Sequence, residues 1–268
     1  MTTRYRGTPI VFIHGMWLHA SSWQPWVKFF ETEGYKPVAP GWPGEPEDMA
    51  SARAAPELVA NRGIEDLSSH FRQIANAQPT SPILIGHSFG GLIAQKLLGE
   101  GIARAAIAIN PAQIKGVLPL PFSQLRAGLP ALGNPFNKSR SVALTAKQFR
   151  YGFGNALQED ESNELFEKWT IPSPARGLFE VAFANFNPRA ASAVNTANFR
   201  RGPLLVTSGC SDHTVPDVTS RATHRQYRNS SAVTDLKQFA GKGHSLVIDH
   251  GWRDVATACL DWLRKQGM

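Results

Sequence analysis

Cysteine is scarce: the 268 residues hold two, Cys210 and Cys259. That is too few for a disulfide framework, and the pair matches no metal-binding motif. The eight histidines form neither H-x-x-x-H nor H-E-x-x-H, so no metal site is expected. Apolar runs are short, which argues against a membrane span. Residues 1–8 are polar and carry two arginines, with no apolar segment behind them. No secretory signal is therefore expected, and a cytoplasmic location is the default. Internal repeats and low-complexity tracts are also missing. The charge is +7, from 28 Lys/Arg against 21 Asp/Glu, but basic residues never run longer than two, as in Arg200-Arg201 and Arg264-Lys265. Nucleic-acid footprints are clustered and modular, so no nucleic-acid partner is expected.

What the chain does have is a hydrophobic content of 42%, enough for a substantial core, and a length that suits one large α/β domain with an insertion. It also has Ile85-Gly86-His87-Ser88-Phe89-Gly90-Gly91, a G-x-S-x-G centred on Ser88. An apolar run at 82–85 enters this motif, and a helix-compatible stretch at 91–99 leaves it. That context reads as a nucleophile elbow, a serine on a strained turn between strand and helix. The helix behind it offers its orphan N–H groups to developing negative charge.

Short apolar strands are predicted at 9–13, 35–39, 82–85, 105–109, 203–207 and 233–239. Helices are predicted at 23–33, 64–75, 91–99, 219–227 and 252–263. The alternation predicts a doubly wound parallel sheet with helices on both faces. A loop at 40–47 carries three prolines, and 48–60 has no clear pattern. The rhythm breaks at Asn110-Pro111. Residues 111–200 show helical segments at 145–157, 162–169 and 176–186 and no clear strand, with five prolines in 111–137. So long a connection predicts an inserted helical cap. The expected division is a core of 1–110 and 201–268 with a cap of 111–200.

A serine hydroxyl needs a base, and an imidazole base needs an orienting carboxylate. Open α/β sheets place such groups in loops at the carboxyl ends of strands. Asp212 and His244 stand in such loops, giving the order Ser88, Asp212, His244. Asp217 looks more like a helix cap, and Asp235 and Asp249 are weaker acids for the role. Among the other histidines, His224 falls in a predicted helix, and His250 lies beyond His244. His213 is a candidate pocket residue beside the acid. His87 should direct its ring away from the site, and His14 should brace the loop after the first strand. The backbone N–H groups of Met16 and Phe89 are the expected oxyanion donors. Trp17 and the cap aromatics Phe149, Phe153 and Phe183 are expected to line the substrate pocket.

With Val11-Phe12-Ile13-His14-Gly15-Met16-Trp17, Gly86-His87-Ser88-Phe89-Gly90-Gly91, the S-D-x-x-V-P around Asp212, and Gly243-His244, the chain resembles the α/β-hydrolase superfamily. The resemblance is to its serine esterase, lipase and haloperoxidase-like branch with a helical cap, and it covers about two-thirds of the chain. It implies a sheet of about six core strands here, because only eight residues precede Pro9, too few for the family's leading hairpin. A serine at position 88, not an aspartate, implies acyl transfer. The expected activity is hydrolysis of a carboxylic ester of a small to medium hydrophobic substrate, without metal or organic cofactor. The same triad serves lactones, amides, thioesters, vinylogous carbon–carbon bonds and perhydrolysis, and the same fold serves as a non-catalytic ligand binder. The sequence does not separate these, nor does it give an oligomeric state.

Overall fold

The computed structural model describes residues 7–268. The polar, arginine-bearing start read in the sequence lies, through residue 6, outside the described residues. Six strands form one parallel sheet in the order β2-β1-β3-β4-β7-β8. They are β1 (Pro9–Ile13), β2 (Lys36–Val38), β3 (Ile83–His87), β4 (Ala105–Ile109), β7 (Leu204–Gly209) and β8 (Thr234–Phe239). The four inner strands are buried at every position, which is why they read as unbroken apolar runs. The edge strands β2 and β8 alternate between covered and more exposed positions, as edges facing water on one side do.

Helices cover both faces. Among them are α1 (Gln24–Thr32), α3 (Ile64–Asn76), α4 (Phe89–Gly99), α9 (Asp217–Arg225) and α10 (Trp252–Lys265). Aromatic packing supports α1: Trp23 stacks on Phe12 at 4.9 Å, and Trp26 stacks on Phe30 at 6.2 Å. Trp26 Nε1 donates to Val247 O at 2.8 Å, so its buried polar atom is satisfied. Asp217 is not a helix cap. It is the first residue of α9, and its carboxylate meets Arg221 one turn on, at 2.8 Å.

Between β4 and β7 the chain builds a cap. Its helices are α5 (Phe122–Leu132), α6 (Ala146–Gly152), α7 (Glu159–Trp169) and α8 (Arg176–Ala182). The structure adds two features to the helical expectation. The first is α5 itself, lying in the proline-rich stretch that reads as irregular. Its Pro130 falls in the last turn and has no N–H to donate to the carbonyl of Arg126. The second is an antiparallel pair, β5 (Ser141–Val142) with β6 (Ser173–Pro174). Strands of two residues are too short to show an alternation.

The cap is tied to the loop after β1. Trp17 N donates to Ser173 Oγ at 2.6 Å, Trp17 Nε1 to Val142 O at 3.0 Å, and Ile171 N to Trp17 O at 3.1 Å.

Candidate active site

Ser88 stands between the last residue of β3 and the first of α4, with φ +53° and ψ −116°. A non-glycine residue there is strained, and the surroundings hold it: Ser88 N donates to Ile109 O at 2.9 Å, and Ser88 O accepts from Ala112 N at 2.9 Å. The turn is so tight that a Cβ on Gly86 would lie 2.0 Å from Gly90 O, and one on Gly90 2.0 Å from Ile13 O. Glycine at both positions is a requirement of close approach. The helix starts at Phe89, two residues earlier than its sequence pattern indicates, because the elbow turns the chain straight into it.

His244 is fully buried, and its Nδ1 donates to Asp212 Oδ2 at 2.6 Å. The carboxylate accepts three further bonds: from Asn110 Nδ2 at 2.6 Å, Thr214 N at 2.7 Å and Val215 N at 2.8 Å. All the donors are N–H groups, so the acid is fixed as an acceptor and the imidazole in one tautomer. His244 Nε2 is buried and has no hydrogen-bond partner among the described residues. Ser88 Oγ does not bond to it in this resting geometry, and such contacts often close only with substrate bound.

The chain after β1 passes directly beside the serine, since a Cβ on Gly15 would lie 2.8 Å from Ser88 Cβ. Met16 and Phe89 both border the cavity beside Ser88. Their N–H groups make no bond to other described groups. The cavity is narrow, about 50 Å³. Trp17, Ala112, Leu178, Val181 and Val215 make it largely apolar, and Gln113, Gln124 and Thr214 give it a polar edge without a charged side chain. A larger groove lies near Phe179 and Arg189, but neither Ser88 nor His244 borders it.

Of the five residues expected in the pocket, Trp17 borders the cavity and the other four do not. Phe149 is buried against Phe153, with ring centroids 5.0 Å apart, and Phe153 meets the His244 ring edge-on at 4.7 Å. Phe153 covers the imidazole and Phe149 backs Phe153, and neither borders the cavity. His213 turns toward Tyr151, its Nδ1 lying 3.1 Å from Tyr151 O. Phe183 ends α8 with 60% of its surface exposed.

The ring of His87 does not turn away from the site. It lies 4.6 Å from the His244 ring, and its Nε2 donates to His244 O at 2.9 Å. Burial, reinforced by the neighbouring His244, holds the His87 pKa well below the ordinary histidine value. A neutral ring thus clamps the backbone of the candidate base.

Two contributors gave no motif signal. Asn110, at φ +43° just past β4, bonds Asp212, accepts from Gly209 N at 2.9 Å and donates to Gly243 O at 3.4 Å, joining the ends of β4, β7 and β8. Glu45, in the proline-rich loop after β2, is buried to 2% exposure. Its Oε2 lies 3.1 Å from His14 Nε2, and its Oε1 accepts from Ala20 N at 3.0 Å. His14 Nδ1 donates to Gly15 O at 3.0 Å, and its other ring nitrogen stands against Glu45 at ion-pair distance without a hydrogen bond. Burial pushes the Glu45 carboxyl up, but His14, the Ala20 N–H and His19 outweigh it and leave it below the ordinary glutamate value. Trp42 stacks on the His14 ring at 5.0 Å, and its Nε1 donates to His14 O at 3.2 Å. The loop carrying the Met16 N–H is therefore backed by a buried histidine–glutamate contact and the Trp42 bond.

Comparisons with known proteins agree with this architecture. The chain is 23% identical over 245 residues to an (E)-2-((N-methylformamido)methylene)succinate hydrolase of Acinetobacter baylyi, covering 91% of this chain and 82% of the relative. It is 24% identical over 261 residues to a non-heme chloroperoxidase of Streptomyces lividans, covering 91% and 87%. Among solved structures, a monoacylglycerol lipase of Paleococcus ferrophilus superimposes with a TM-score of 0.67 at 20% identity, covering 97% of each chain. A model of the alpha/beta hydrolase family matches residues 10–258. With that match running from β1 into α10, across both halves of the sheet and the cap between them, the chain belongs to the alpha/beta hydrolase family.

Proposed function

We propose that this chain is a serine hydrolase that cleaves carboxylic esters of small to medium hydrophobic acids through an acyl-enzyme. In this reading, residues 111–200 act as the lid over the core. The observation that carries it is the state of His244: Nδ1 held by Asp212, Nε2 buried and unpartnered, in a site whose neighbouring cavity holds a strained serine.

His244 Nε2 takes the Ser88 proton as Oγ attacks the ester carbonyl. The tetrahedral oxyanion is received by the N–H groups of Met16 and Phe89, and each such donor supplies about 3 kcal/mol of transition-state stabilisation. His244 then gives its proton to the leaving alcohol. In the second half it deprotonates water, which attacks the acyl carbonyl, and it returns that proton to Ser88 Oγ as the acid is released. Asp212 keeps the imidazole in the required tautomer throughout. The narrow, uncharged cavity favours a neutral acyl group over a charged polymer. The lipase likeness in fold is consistent with ester chemistry.

Ser88→Ala tests the reading. Hydrolysis of short-chain aryl esters should fall by about 10⁴-fold or more in kcat, with the fold intact by circular dichroism. A folded Ser88→Ala protein that keeps its activity would rule the mechanism out.

A further inference from the structure

The positive charge of this chain is unevenly placed. Residues 101–158 hold seven Lys/Arg and no Asp or Glu, which equals the entire excess of +7 and leaves the remainder balanced. A second stretch, 181–211, also lacks any acid and carries Arg189 and Arg200, while its Arg201 is buried. Twelve large apolar side chains are exposed among the described residues, and nine of them fall in these two stretches. Exposed apolar surface and unneutralised positive charge thus coincide.

They coincide on the outside of the cap. On α5, Phe122, Leu125 and Leu129 recur on one side and are 77%, 43% and 58% exposed. Phe136 follows on the 3-10 turn Pro135–Ser139, 73% exposed. Asn185 joins a second segment to this region, accepting from Gly116 N at 2.7 Å and donating to Val117 O at 3.0 Å. That brings Phe183 and Phe186, 60% and 85% exposed, beside the chain leading to Leu118. Basic side chains are interleaved: Arg126 and Lys147 border a groove with Leu129, and Lys138 and Arg189 border one with Phe183. The one carboxylate there, Glu180, is paired with Arg176 at 2.9 Å.

We propose that this face of the cap docks on an anionic lipid surface. Protruding aromatic and aliphatic side chains set among Lys and Arg are the pattern of a protein lying at a membrane interface without crossing it. No described helix is long and apolar enough to span a membrane. A second copy pairing through the same face would bring two net-positive surfaces together, a like-charge contact. The apolar side chains are spread over a helix, a turn and a loop, and so form no single groove for a peptide helix or strand. The opposite side of α5 supplies Gln124, Ala127 and Gly128 to the Ser88 cavity. Docking would therefore set the cavity beside the membrane, and on the ester-hydrolase reading an apolar ester would enter from the lipid.

Co-sedimentation with vesicles tests the docking without reference to catalysis, so its failure is separate from failure of the hydrolase reading. At low salt the protein should bind phosphatidylcholine/phosphatidylglycerol vesicles at least about tenfold more tightly than pure phosphatidylcholine, and added salt should reduce that preference. Phe122→Ser with Phe136→Ser and Phe186→Ser should weaken binding to both. Lys138→Glu with Arg189→Glu should abolish the preference for the anionic lipid. All five positions lie outside the Ser88 cavity, so hydrolysis of a water-soluble ester without vesicles should not change, and Val38→Ser, on β2, serves as a control. Absence of binding at low salt, or variants that bind like the parent, would overturn the proposal. So would a concentration-dependent dimer that the same serine substitutions dissociate, since a second copy would then cover the face.

Discussion

Two buried histidine–carboxylate pairs flank the proposed nucleophile, and they are built for opposite ends. His244 has one nitrogen on Asp212 and the other unpartnered. His14 has one nitrogen on Gly15 O and the other against Glu45. The residue types match and both rings are buried, so neither chemistry nor burial tells a base from a brace. The difference is what stands at the second nitrogen: a carboxylate 3.1 Å away for His14, and for His244 no carboxylate or hydrogen-bond partner among the described residues. A ring whose second nitrogen has no partner can accept a proton in a reaction. One whose second nitrogen stands against a buried carboxylate is held by it and braces its surroundings. The acids differ as well: Asp212 takes four N–H bonds that fix its position, whereas Glu45 spans the loops after β1 and β2.

If that contrast is right, disabling the first pair costs rate and disabling the second costs mainly structure. Asp212→Asn should lower kcat by about 10⁴-fold, because the amide favours the wrong imidazole tautomer, while denaturant unfolding changes far less. A loss below about tenfold would mean that Asp212 does not orient the base. Glu45→Gln should cost about 3 kcal/mol of stability by urea unfolding, since a buried charge partner is removed. It should also lower kcat by about tenfold with little change in KM, through the loosened Met16 N–H. A loss as large as that of Asp212→Asn would erase the distinction.

Two smaller effects sharpen the comparison. His87 is buried neutral with its pKa pushed down, so protons bind the unfolded chain before the folded one. Its contribution to stability is full above the ordinary value of 6.5 and declines as pH falls from there toward the depressed folded value. Urea midpoints measured from pH 8 down to 5 should show this decline, and His87→Gln should flatten it. Glu45 adds its own decline at lower pH: its stability contribution is complete above 4.5 and is lost as pH falls through its lowered folded value. Smallest of all, Trp17→Phe removes the bond to Val142 O and should cost about 1 kcal/mol, read as faster proteolysis within the cap.

The same contrast explains what could be read from the chain. The sheet was legible because fully buried parallel strands leave unbroken apolar runs, and β3, β4 and β7 stand within two residues of where those runs lie. Ser88, Asp212 and His244 could be nominated because each falls in a loop that begins at a recognisable strand end. Glu45 could not be, because nothing near Pro40–Glu47 distinguishes a buried glutamate from a solvated one. Its role depends on β1 and β2 being neighbours in the sheet. The cap was legible as an insertion and opaque in detail. Its α5 contains a proline, and its pocket-facing residues are Gln124, Ala127 and Gly128, not aromatic rings. The phenylalanines that suggested a pocket lining went elsewhere: Phe153 against His244, Phe149 behind Phe153, Phe183 to the surface.

The most direct measurement is labelling with a fluorophosphonate, read by intact mass and peptide mapping. The account predicts one adduct per chain, on the peptide carrying Ser88, formed slowly by Asp212→Asn and not at all by Ser88→Ala. A folded protein that takes no adduct, or takes it at another residue while Ser88 stays free, would contradict it.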